Sequence, residues 1–380
     1  MIEVFDDTKP KTIKISKVQN IKDNLVYYGI DNKYPSEMEA IIDGSQTATL
    51  CVKTKAKFLS SKFVDANVGN AVVGKTWINR NYTLSGLVRD IATNLAKYNG
   101  CYLMVTKNLN NEVVMVSVMD FTKCRFTEFD DVMRCNAVYY GDFAGTISGK
   151  KGKKTYTKFP LFTNDSNIYK LMAESYGTTT SVYPIFSDCA YYYPKNPFES
   201  VYRDCLTEYE IQLNRYEEIS EGSPAKLIIR TDFSKNESEK EAQIEQIKQF
   251  AGSKGRRVLI IKSSFDDEGN PINNNYQIDT IQDTRDLSKF TDAETAISGN
   301  IRKALQIPSI LVAPNDGATV DASAIQLRAA VDYFNDLTRD ERDLITESLN
   351  EVFKNTVIDF GSKNFALDNF EMTIRENNIQ

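Results

Sequence analysis

The chain has 380 residues, 41% of them hydrophobic and 26% charged, with no histidine and a formal net charge of −6. That length can bury a sizeable core in two or three structural units, and the composition is globular and not disordered. The acidic balance excludes an electrostatic nucleic-acid binder over the whole chain, because tight binding needs a basic face to displace counterions. The lack of histidine removes the Ser-His and Cys-His dyads and the commonest general base near neutral pH.

The six cysteines, at 51, 101, 124, 135, 189 and 205, form no C-x-x-C pair and no regular spacing. Without histidine a zinc site is not expected, and no metal, cofactor or catalytic residue is assigned. Cys101 and Cys205 lie in apolar patterns and are expected as buried thiols. No apolar run approaches the ~20 residues that span a bilayer, so no membrane partner is expected. The opening MIEVFDDTKPKTIKI lacks a charged-then-apolar signal pattern, and a soluble protein made in the cytosol is the expectation.

In chain order, residues 1–33 read as an extended lead-in. Pro35 and Ser36 suit a helix start before Met38, Ile41 and Ile42. Gly44-Ser45 interrupts, and a second helical run passes through Leu50, Val52, Phe58 and Leu59. Residues 83–98 form an amphipathic pattern on Leu84, Leu87, Val88, Ile91 and Leu95, with Gly100 placed as the C-terminal glycine. Cys101–Val105 and Val113–Met119 read as a hairpin across the turn Asn108–Asn111. Arg125–Glu128 and Cys135–Tyr140 read as further strands, giving this half an antiparallel sheet with helices.

Asn196 and Pro197 predict the cap and first turn of a long helix carrying Phe198, Val201, Cys205, Tyr209, Leu213, Tyr216 and Ile219, ended by Gly222 and Pro224. A compact insert follows: a strand at Ala225–Arg230, a helix capped by Ser238 with Glu241, a strand at Arg257–Lys262 and a return strand at Tyr276–Ile281. The insert has too little core to fold alone, which suggests that a neighbouring subunit completes its sheet.

Thr284 then caps a helix with Leu287, Phe290, Ile297, Ile301 and Leu305 on one face, which ends near Gln306 because Pro308 cannot continue it. The loop LVAPNDGATVDA contains the turn residues Pro314, Asn315, Asp316 and Gly317. Ser323 and Gln326 form a capping box, from which one helix on Leu327, Val331, Phe334, Leu337, Leu344, Ser348 and Val352 is expected to run to Asn355, about 50 Å if unbroken. Asn369–Arg375 reads as a last strand.

Three local motifs compete for a function. Gly69-Asn70-Ala71-Val72-Val73-Gly74-Lys75-Thr76 matches the P-loop pattern, with Asp120 as a possible acidic partner. A phosphate site needs a buried strand before it and a helix N-terminus at the lysine. Here the flanks are polar Asp65-Ala66-Asn67 and strand-like Trp77–Tyr82, so a nucleotide-binding protein using Lys75, Thr76 and Asp120 is the alternative and not the main reading. Lys150, Lys151, Lys153, Lys154 and Lys158 could meet DNA or an acidic partner, but read first as a solvated hairpin tip. Asp340, Glu341 and Asp343 alternate with Arg339 and Arg342, which suits a solvated or inter-subunit ion-paired face better than converging metal ligands.

This order of elements resembles the tailed-phage portal protein family, the head–tail connector portals. Ile297-Ser298-Gly299-Asn300-Ile301-Arg302-Lys303-Ala304-Leu305-Gln306-Ile307-Pro308 is similar to the family's I-A-x-x-(F/L)-x-(I/V)-P-P segment, with Ser309 where a second proline is common. NPFESVYRDCLTEYEIQLNRYEEISEGSPAKLIIR resembles the first stem helix entering a clip. The resemblance implies an α+β portal-type fold: wing 1–195, first stem helix 196–222, clip and return strand 223–283, second stem helix 284–308, tunnel loop 309–322, and long helix with a C-terminal wing strand 323–380, with little or no crown. It implies a non-enzymatic ring of about twelve copies at one capsid vertex of the virion, assembled in the host cytoplasm, through which DNA is packaged, retained and ejected. Implied partners are further copies of the chain, viral double-stranded DNA held without sequence preference, the terminase large subunit, head–tail adaptor proteins and the major capsid protein. Asn315, Asp316, Gly317, Ala318, Thr319 and Val320 would face DNA in the channel, and Lys240, Glu241, Glu245 and Lys248 would dock terminase or adaptor. A different virion subunit, adaptor or shell, is the remaining alternative.

Overall fold

The computed structural model describes residues 21–22, 25–29, 32–61, 63–65, 76–79, 83–128, 135–143, 156–189, 192–221, 226–230, 277–281, 287–312, 320–360 and 365–371. The protein mixes helix and sheet, as the sequence predicts. It divides into two compact units: Met1–Leu206 with Ser298–Gln380, and Thr207–Ile297.

The larger unit begins with short strands β1 (Ile21–Lys22) and β2 (Leu25–Val26), then α1 (Tyr34–Gly44) and α2 (Gln46–Leu59). The expected interruption at Gly44-Ser45 is a cap: Ser45 Oγ accepts from the Ala48 N–H at 3.1 Å and starts α2. Strand β3 (Phe63–Asp65) precedes α3 (Leu84–Tyr98), whose N-cap Thr83 accepts from Gly86 N. Such a cap contributes about 1 kcal/mol. The predicted face of α3 is fully realised: Leu84, Leu87, Val88, Ile91 and Leu95 are buried, each worth roughly 1.5–3 kcal/mol relative to exposure.

The end of α3 corrects the reading of Gly100. Asn99, at φ +55°, is the left-handed cap residue, a position that asparagine tolerates better than most residues. Gly100 instead opens strand β4 (Gly100–Lys107). A Cβ there would stand 2.8 Å from the Phe186 ring and 2.8 Å from Pro194, so close packing explains the glycine.

β4 is the centre of a three-stranded antiparallel sheet, with β5 (Val113–Val118) on one side and β9 (Thr180–Phe186) on the other. Leu103 lies opposite Val118 and Tyr183, and the predicted hairpin is present. A second antiparallel sheet joins β6 (Cys124–Phe126), β7 (Ala137–Tyr140) and β8 (Thr157–Pro160). The sequence reading missed β8, β9 and the helix between them, α4 (Ser166–Tyr176). Tyr169 is the one buried residue of α4, so no apolar stripe marks it. Cys101 and Cys205 are buried as expected.

Buried cations lock this unit, two of them in its sheets. Arg125 is fully buried and donates to Asn32 Oδ1 and O, Thr122 O and Cys124 O. Burial pushes its guanidinium below the usual range. Lys107 is 2% exposed. Its Nζ donates to Asn111 Oδ1 at 2.9 Å and Thr163 O at 2.6 Å, and lies 4.2 Å from the Phe162 ring centre. Burial pushes that ammonium down to about 8, against the raising pull of Glu351.

The described part of the smaller unit is a helix pair and a strand ribbon. Helix α5 (Tyr202–Glu221) enters it after a tight turn at Glu199–Val201, where Asn196 Oδ1 accepts from Phe198 N. β10 (Lys226–Arg230) pairs antiparallel with β11 (Gln277–Ile281) over five residues. Helix α6 (Leu287–Ala304) then leads out. Arg215 on α5 and Glu294 on α6 form an ion pair at 2.7 Å. The expected cap Thr284, the insert helix after Ser238 and the strand Arg257–Lys262 lie outside the described residues.

Candidate functional site

The candidate site is the frame that carries the loop after α6, all of it within the larger unit. The helix ends in two backbone bonds: Gln306 N donates to Lys303 O and Ile307 N to Arg302 O, both at 3.0 Å. This is a Schellman closure, in which the residue after the cap turns left-handed. Here that residue is Gln306, at φ +55°. Pro308 follows, and a short helix α7 (Ser309–Val312) occupies the start of the segment expected to be loop. It packs against α2 and against α8 (Val320–Leu337).

Beyond the loop the expected single helix is two. α8 begins at Val320, so Ser323 lies inside the helix and is not its cap. α8 ends at Leu337, and α9 (Arg339–Val352) takes over. Thr338 between them is 1% exposed. Its Oγ1 donates to Phe334 O at 2.7 Å and accepts from Arg342 Nη1 at 2.7 Å. Arg342 Nη2 donates to Asn335 O and to Asn369 Oδ1. Arg342 is 3% exposed, which corrects its assignment to a solvated face. Burial pushes its guanidinium down, opposed by Asp343. Glu341 pairs with Lys55 of α2 at 2.7 Å, and Arg339 with Asp343 at 4.0 Å. Leu337, expected on the core face, is 40% exposed because it lies about 100° around the helix from the face of the buried Val331 and Phe334.

Two asparagines fasten the chain end to this helix pair. Asn335 accepts from Phe370 N and donates to Phe370 O; Asn350 does the same to Phe365. Each amide imitates a strand partner and satisfies a backbone donor and acceptor at once. The segment between them carries β12 (Phe365–Leu367), which pairs antiparallel with β3. Of the strand expected at Asn369–Arg375, residues 369–371 are described and are not strand, and the rest lies outside the described residues. Phe58 meets Phe334 edge-on at 4.8 Å and Phe370 at 4.6 Å, so α2, α8 and the tail share one aromatic contact. Both sides of the loop are thereby held on a packed base.

Of the residues singled out from the sequence, Asn315, Asp316, Gly317, Ala318 and Thr319 lie outside the described residues, and Val320 opens α8. Lys240, Glu241, Glu245 and Lys248 also lie outside them, as does the basic run except Lys158, in β8. Gly69 to Lys75 lie outside as well. Thr76 is described, and no helix starts there. Its carbonyl accepts from Leu84 N at 2.9 Å, where α3 begins eight residues later. Asp120 closes a local turn, accepting from Thr122 N and pairing with Lys123 at 2.9 Å. Burial pushes its carboxyl up, but the bonds from Lys123 and Thr122 outweigh that and hold it below the usual range. The helix N-terminus that a phosphate site needs is absent at Thr76. Among the described residues no group of three or more His, Cys, Asp or Glu could hold a metal ion, and no helix is long and apolar enough to cross a membrane.

No protein-family model matches the chain, and no curated protein matches it. Solved structures do. A chain in the neck of an empty gene transfer agent particle, computed with C6 symmetry, superposes with a TM-score of 0.54 at 11% identity, over 91% of this chain and 86% of that one. A chain in the neck of the native particle, computed with C12 symmetry, gives a TM-score of 0.52 at 11% identity, over 88% and 83%. A portal protein of the HK97 phage family from Corynebacterium diphtheriae gives 0.40 at 9% identity, over 83% and 90%. At these identities the likeness is one of fold. The chain has the fold of a gene transfer agent neck component.

Proposed function

We propose that the protein is a portal: a structural ring at one capsid vertex through which double-stranded DNA is packaged, held and released. The observation that carries this reading is the likeness in fold to a neck chain over 91% of the protein, joined to the helix–Pro–loop–helix order of 287–352. In this reading about twelve copies surround a channel. The helices 202–221 and 287–304 form its wall, and the loop between Val312 and Val320 lines its narrowest part. The ribbon of β10 and β11 roots the clip that meets terminase during filling and head–tail adaptors afterwards, with Lys240, Glu241, Glu245 and Lys248 in the docking surface. The chain contributes positions and charges, not chemistry.

Electrostatics support a conduit over a gripping binder. Residues 285–355 hold eight Lys and Arg against twelve Asp and Glu. Asp332, Asp336, Asp340, Asp343, Glu347 and Glu351, spaced three or four apart, are all exposed along α8 and α9. Repeated around a ring, such a face repels phosphate wherever it looks inward, so DNA passes without sticking. Deleting 313–320 tests the loop assignment: rings should assemble, and packaging or retention of DNA should fail. Normal packaging with that deletion contradicts the assignment.

A further inference from the structure

Lys107 is buried at the end of β4, and its hydrogen-bond acceptors are all neutral: Asn111 Oδ1 at 2.9 Å, Thr163 O at 2.6 Å and Asn164 Oδ1 at 3.5 Å. The rings of Phe162 and Tyr169 are centred 4.2 and 5.5 Å from its Nζ. Desolvation of this kind favours the neutral amine, the nucleophilic form of lysine. Asn164, half-buried, stands beside it. The Asn164 backbone is pinned, since Asn111 Nδ2 donates to Asn164 O at 3.1 Å. Asn164 Nδ2 in turn donates to Glu351 Oε1 at 2.6 Å and to Glu351 O at 3.0 Å. An amine, a carboxamide and a carboxylate are thus successive neighbours from the central strand to the end of α9.

We propose that Lys107 and Asn164 join in an intramolecular amide bond within the folded chain. Neutral Nζ attacks Asn164 Cγ, and the Nζ–Cγ bond forms as the Cγ–Nδ2 bond breaks. Glu351 takes the proton that Nζ gives up and delivers it to Nδ2, which leaves as ammonia. One amine and one carboxamide become one secondary amide and ammonia, and no oxidant or cofactor is consumed. Cγ is about 1.2 Å from Oδ1, so it lies within about 4.7 Å of Nζ, and a shift of about 1 Å brings it to the ~3.5 Å from which attack proceeds. Burial pushes the ammonium down to about 8 against the pull of Glu351, so the amine is populated just above neutral pH. The other titratable groups nearby are engaged: Tyr169 of α4 donates its hydroxyl to Asn108 O, Glu112 accepts from Asn108 Nδ2, and Asp165 caps α4. The ammonium form cannot attack, so the freshly folded chain keeps its titrating lysine and bridging is slow below pH 7.

The test is the intact mass of the whole folded chain, incubated for days at pH 6 and at pH 9, with tandem mass spectrometry of its proteolytic peptides. The bridged product is lighter by ammonia, about 17 Da, and its peptides carrying Lys107 and Asn164 are joined by a cross-link that closes the loop between them. This species should accumulate at least tenfold faster at pH 9 than at pH 6, and should be absent from Lys107→Arg and from Asn164→Ala. A succinimide also loses ammonia but joins no peptides, and ordinary deamidation adds about 1 Da. A chain that shows only those products, or no change, overturns the proposal, and so does a bridge that runs to Asn111 instead. Should either variant misfold, the unaltered chain decides alone, by the presence or absence of the joined peptides. Glu351 is exposed, so Glu351→Gln leaves the fold intact, which the urea midpoint checks. It should slow bridging at least tenfold, and equal rates overturn the proton transfer assigned to Glu351.

Discussion

The larger unit and residues 207–297 are held together by different means. In the larger unit, polar groups are buried and answered: Arg125, Lys107 and Arg342 each sit at 3% exposure or less, bonded to carbonyls and amides of segments far apart in sequence. These bonds fix which segments meet, and Asn335 and Asn350 do the same for the chain end. Among the described residues of 207–297 the contacts include a two-stranded ribbon and one partly exposed ion pair. Ile211 and Ile297 are its buried hydrophobic residues among those described. An isolated two-stranded ribbon is marginal in water. The described part of the larger unit is thus fixed by buried polar anchors and the described part of residues 207–297 by a ribbon and a surface pair; under the portal proposal, neighbouring copies cover the latter.

The comparison can be broken by mutation. Arg125→Met leaves the carbonyls of Asn32, Thr122 and Cys124 without their donor and should lower the free energy of unfolding by about 3–4 kcal/mol in urea denaturation. A loss under 1 kcal/mol would mean that the guanidinium is not a lock. Arg342→Met should cost about 2–3 kcal/mol and speed amide exchange at Phe370 as the tail loosens. Unchanged exchange there would detach the tail from the break between α8 and α9.

Lys107 gives a pH signature. Its folded ammonium titrates near 8 and an ordinary lysine near 10.5. Between those values the unfolded chain binds more protons, so this group makes stability rise with pH across that window. Below 8 the full cost of burying the charge is present. Lys107→Met should flatten that rise relative to the unaltered chain; parallel curves of unfolding midpoint against pH would exclude the effect. Arg215→Gln is the smallest expected change. Its pair with Glu294 is partly exposed, and its loss should shift stability by no more than about 0.5 kcal/mol. A loss of several kcal/mol would show that residues 207–297 have a self-sufficient core after all.

What could be read from the sequence follows from what carries a period. The face of α3, the hairpin at Asn108–Asn111, the two long helices and the strands at 226–230 and 277–281 announce themselves through apolar spacing and turn residues. The break at Thr338 does not. Thr338 and Arg342 are four apart on a polar stretch, and their burial comes from the tail that bonds to Asn335 and Arg342. Arg125 and Lys107 were missed for the same reason, since a buried cation answered by distant carbonyls leaves no local pattern. Gln306 is a subtler case. The proline marks the end of the helix, but a left-handed residue there is usually glycine, and nothing in the sequence singles out a glutamine. For the candidate site, the frame was legible as helix, stop and helix, while its fastening through asparagine amides was not.

The most direct test of the portal reading is the native mass of the purified chain, read together with negative-stain images of the same sample. The reading expects rings with a central hole and a mass about twelve times 43.0 kDa. A particle that stays at the mass of one chain at every concentration, alone and when made together with the capsid shell protein, would contradict it.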